Sequence, residues 1–83
     1  MDDESLIESL LPAVQQQLES QQTPYVKKTF VRLVEKESLA PDEAKKLIAL
    51  CLADESNRMF IDKRDFDEGR YKELLDTLPA ALT

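Results

Sequence analysis

The sequence predicts an all-α fold: a compact bundle of four helices with short antiparallel connections, or five helices if Pro12 divides the first. Three observations predict it. Apolar residues recur at helical spacing in successive stretches. No stretch alternates apolar and polar residues as a half-buried strand would. The breaks between stretches carry helix-start residues: Thr23-Pro24, Pro41-Asp42-Glu43 and Asp67.

The first helix is expected over about Ser5 to Ser20. Leu6, Leu10, Val14 and Leu18 recur at every fourth position, with Ile7 and Leu11 beside them. Pro12 interrupts this run and removes a backbone hydrogen bond. It falls opposite the apolar face, which allows a kink convex toward solvent or a second short helix opening at Pro12. The second helix is capped by Thr23, with Pro24 at its first position, and runs to about Glu37. Val26, Phe30, Leu33 and Val34 form its apolar face.

The third helix starts at Pro41, with Asp42 and Glu43 in its first turn. Ala44, Leu47, Ile48, Cys51, Leu52 and Met59 line one face, and Ala49, Leu50 and Ala53 carry apolar surface almost around the rod. Such a helix belongs at the centre of a bundle, with Leu47, Ile48, Cys51 and Leu52 nearly inaccessible. The fourth helix is capped by Asp67. Phe66 before the cap and Tyr71 four residues after it make a hydrophobic staple. Tyr71, Leu74, Leu75 and Leu78 follow at helical spacing, and Pro79 stops the run.

A chain of 83 residues makes one domain spanning 1–83. It has no histidine, no tryptophan, one cysteine and one glycine. Histidine is the default general base near neutral pH and a common metal ligand, so most catalytic chemistry loses its usual carrier. One glycine leaves no glycine-rich loop for phosphates. The net charge of −6 disfavours nucleic acid and favours a basic partner. Cys51 has no second cysteine to pair with. The start Met1-Asp2-Asp3-Glu4 is unlike a basic signal-peptide start, and no apolar run approaches the roughly 20 residues that span a bilayer. The expectation is a complete small cytoplasmic protein with no membrane, metal or cofactor.

Glu55 is the first candidate site residue. It falls within the apolar stripe of the third helix, between Cys51 and Met59. A carboxylate there must be paired, hydrogen-bonded or protonated. Arg58 and Arg70 are the expected partners, either as a structural ion pair or as the centre of a small-ligand pocket. Lys28, Arg32 and Lys36, spaced four apart, form a basic stripe that either grips an acidic partner or faces water.

Leu50, Phe60 and Ile61 are apolar residues with little interior left to hold them. They are expected to form a homodimer or partner interface, unless Phe60, Ile61 and Phe66 fold back to close the end of the bundle. Asp62, Asp65, Asp67 and Gly69 do not match a calcium loop: Arg64 falls on a ligand position and the glycine is misplaced. Cys51, among Ile48, Leu52 and Glu55, reads as a small core hydrophobe.

Glu37-Ser38-Leu39 resembles the aspartate-serine-leucine signature of acyl carrier proteins, whose serine accepts phosphopantetheine. Glu37 stands in the aspartate position. The block from Glu55 to Pro79, with Arg58-Met59-Phe60 and Phe66-Asp67-Glu68-Gly69-Arg70-Tyr71, resembles small uncharacterised bacterial helical domains. That resemblance implies a bacterial cytosolic helical protein and carries no activity. The function expected is a non-catalytic interaction or regulatory protein. The alternative is a small-ligand or carrier protein using Glu55, Arg70 or Ser38.

Overall fold

In a computed structural model, residues 3–78 are described, with side chains from residue 7 onward. Ser5 and Leu6 have no described side chain, and Pro79 lies outside the described residues. The elements are α1 (Asp3–Glu19), α2 (Pro24–Glu35), α3 (Pro41–Asp62) and α4 (Glu68–Asp76). No strand occurs among the described residues. Among the described residues no helix is long and apolar enough to cross a membrane.

α1 passes through Pro12 as one helix, so the described residues form four helices and not five. Pro12 is exposed, as is Glu8, the residue whose carbonyl loses its N–H partner. The turn into α2 departs from expectation. Thr23 stands at the N-cap position but makes no side-chain cap bond there. Its hydroxyl instead donates to the Gln17 carbonyl at 2.8 Å, closing the last turn of α1. α2 ends at Glu35, and Ser38 in the connection holds a left-handed backbone, φ 58°.

α3 is the longest helix and touches each of the other three. Its buried stripe is Ala44, Ile48, Cys51, Leu52 and Glu55, with Ala49 also buried. Leu47, expected to be inaccessible, is half-buried. It lies about a quarter-turn off the stripe and packs against the edge of the core. The core is completed by Val14, Val26, Leu33, Tyr71, Leu75 and Leu78. Buried Thr29 donates its hydroxyl to the Tyr25 carbonyl at 2.9 Å. Among the described residues no buried side-chain polar atom lacks a partner.

Two details fix where α4 sits. α3 stops at Lys63, a non-glycine residue with φ 53°. The Arg64 amide then donates to the Met59 carbonyl at 3.1 Å, a six-to-one closure of the Schellman kind. α4 starts as expected: Asp67 Oδ1 accepts the Arg70 amide at 3.1 Å. Phe66 meets Tyr71 edge-on, with centroids 5.4 Å apart.

Candidate functional site

The densest polar constellation lies where α3 ends and α4 begins. Glu55 is fully buried, four residues beyond Cys51 on the core stripe of α3. Arg64 reaches it with both terminal guanidinium nitrogens, Nη1 to Oε2 at 2.7 Å and Nη2 to Oε1 at 3.1 Å. Arg70 Nη1 donates to Oε1 at 2.8 Å, and the Asp67 backbone amide donates to Oε2 at 2.9 Å. Each oxygen therefore accepts two hydrogen bonds, which fills the lone-pair capacity of a carboxylate. Arg70 also donates to Asp54 through Nη2 at 2.6 Å.

The electrostatics follow from that geometry. The Arg64 bonds are the strongest influence on Glu55 and overcome the opposing effect of burial. With help from the Asp67 amide and Arg70, they lower its pKa to about 2. The two arginines are pushed the other way, chiefly by their hydrogen bonds to Glu55. The cluster is thus a fixed ion triad and not a proton donor or acceptor near neutral pH.

Arg58, one of the two partners expected for Glu55, is exposed. Arg64 takes that place. Arg58 would have to fold back along the helix surface, whereas the left-handed turn at Lys63 brings the chain back under Glu55. Residues three or four apart on a helix are the neighbours a sequence makes visible. A partner nine positions away, beyond a helix end, leaves no such signal.

The basic stripe is also rearranged. Lys28 and Lys36 are exposed, but Arg32 is drawn across to α4. Its Nη1 donates to the Leu78 carbonyl and its Nη2 to the Leu75 carbonyl, both at 2.8 Å. A cation on the last carbonyls of a helix satisfies groups the helix leaves open and faces the negative end of its dipole. Arg32 is therefore a helix cap supplied from another helix, a role its sequence spacing did not reveal. Lys28 and Lys36 remain beside a groove of about 760 Å³ between the end of α1 and the outer face of α2.

The apolar candidates separate from one another. Leu50 is half-buried on the outer side of α3. Phe60 is 82% exposed and Ile61 57% exposed in the last turn of that helix. Phe66 does fold back, onto Tyr71, so closure of this end uses only one of the three residues expected for it. Ser38 is exposed in the α2–α3 connection, two residues before the α3 cap position, and does not stand at the head of a helix. Cys51 is buried, and burial together with Asp54 pushes its thiol up to about 12.

No protein family model, curated protein or solved structure matches this chain.

Proposed function

We propose that the protein is a non-catalytic helical interaction module whose contact surface is the end of α3. The observation that carries this reading is the uncovered pair Phe60 and Ile61. A single exposed apolar side chain is ordinary, whereas Phe60 and Ile61 stand next to each other on one helix end, and contiguous exposed apolar surface is what marks a contact site. The rigidity has a cause. Lys63 and Arg64 close the helix immediately beyond Ile61, and the Glu55 triad ties that closure to α4. An anchor held in place before binding loses little conformational entropy when it binds.

A ligand pocket at Glu55 is less favoured, because its two oxygens are fully occupied by the protein's own donors. A bacterial cytosolic setting belongs to the same proposal; its cytosolic part is supported by the lone Cys51, which leaves no internal disulfide to form. The test is paired. Phe60→Ser with Ile61→Ser should leave the thermal midpoint nearly unchanged, since both residues are exposed. The same substitutions should abolish capture of whatever the wild-type chain retains, or its self-association in sedimentation. Unfolding of the double variant would return both residues to the core and defeat the proposal.

A further inference from the structure

We propose that the groove along α2 docks an acidic polypeptide segment bearing apolar anchors. The groove shares no lining residue with the hollow at the Phe60 end of α3, so this surface stands independently of the interaction reading above. Its floor includes Leu18, Pro24 and Val31, and Val31 is 39% exposed on an outer stripe of α2. Around that floor stand Lys27, Lys28 and Lys36.

The charge balance is what selects the occupant. The whole chain carries −6, yet this groove is lined by four cations, counting Arg32, against the two carboxylates of Glu19 and Glu35. Arg32 is anchored by Nη1 and Nη2 to the Leu78 and Leu75 carbonyls, so it contributes mainly its field while the three lysines remain as hydrogen-bond donors to a partner. An acidic segment matches this local surplus. A long nucleic acid would also meet the negative remainder of the molecule.

Shape separates a polypeptide from a small anion. The lining runs along α2 from Pro24 to Lys36, about 18 Å at the rise of a helix. It continues into a second hollow of about 290 Å³ that shares Leu18, Glu19, Lys27 and Val31 and adds Gln15, Phe30 and Lys45. Along this furrow Val31 lies between Lys28 and Arg32, Glu35 lies between Arg32 and Lys36, and Leu18 and Phe30 add apolar surface beside them. That arrangement suits a segment presenting carboxylates and apolar side chains in turn, as an amphipathic helix laid in a groove does.

The experiment uses the full chain, isotopically labelled for NMR, and a synthetic peptide of Glu and Leu at helical spacing. Two control peptides replace Glu by Lys or Leu by Ser. The acidic peptide should bind saturably, with amide shifts concentrated between Leu18 and Lys36. Lys28→Glu with Lys36→Glu should weaken binding about tenfold or more. Raising the salt to about 0.5 M should also weaken it. Because both lysines are exposed, the variant should keep its melting temperature, and Val31→Asp provides a second, uncharged-to-charged disruption of the floor. Equal binding of the Lys peptide or the Ser peptide would overturn the proposal. So would shifts centred on residues 59–65, absence of saturable binding, or wild-type self-association that Lys28→Glu abolishes.

Discussion

At the scale of single residues, the chain spends its most specific chemistry on holding itself together. Glu55 is buried with its charge intact because four donors converge on it, and two of those come from one arginine. Glu55→Gln keeps the shape but turns two acceptor positions into donors facing guanidinium groups. Arg64 and Arg70 are each about 30% exposed and stay partly hydrated, so the loss should be about 2 kcal/mol at neutral pH, read from urea melts. The pH dependence has a definite sign. The folded pKa of Glu55 is lowered to about 2, so the unfolded chain binds the proton more readily. Its contribution is complete above the unfolded value of about 4.3 and disappears as pH falls toward 2. The wild-type chain should therefore lose stability across that window relative to Glu55→Gln, and the two curves should converge in acid. Parallel curves from pH 6 to pH 2 would remove the triad from the stability of the fold.

At the scale of the helices, starts were easier to foresee than ends. Pro24, Pro41 and Asp67 mark starts through local chemistry, because a missing N–H or a carboxylate suits the first turn wherever the rest of the chain goes. Ends are set by what comes after. α3 runs to Asp62 and turns at Lys63 in the left-handed region, where glycine is the usual occupant and lysine gives no warning. For the same reason helical spacing points to Arg58 as the partner of Glu55 and gives no sign of Arg64. Thr23 shows a third case: its cap position was legible, but its hydroxyl serves the preceding helix. The buried face of α3 was visible in its spacing, including Glu55, whereas Leu47 needed the neighbouring helices to decide its exposure. Lys63→Gly should relieve the strained backbone and stabilise the protein by roughly 0.5–1 kcal/mol, net of the freedom glycine adds to the unfolded chain. Thermal melts will read this, and a destabilised Lys63→Gly would mean that the lysine side chain itself supports the turn.

At the scale of the whole molecule, one helix organises the rest. α3 touches α1, α2 and α4, and the two surfaces proposed for partners lie away from its buried stripe. α4 is the opposite case, a helix of nine residues. Isolated helices that short do not persist in water. Both of its ends are completed by other parts of the chain: Glu55 accepts from the Asp67 amide at the start, and Arg32 donates to the Leu75 and Leu78 carbonyls at the finish. The consequence is kinetic. α4 has little to form around until α2 and α3 have met, so it should be the last segment to order and the first to open. In native-state hydrogen exchange, amides of Leu74 and Leu75 should exchange through an opening of lower free energy than those of Ile48 and Leu52. Arg32→Met should accelerate the first pair while leaving the second nearly unchanged. Uniform protection across all four would instead make the chain a single cooperative unit, with α4 committed from the outset.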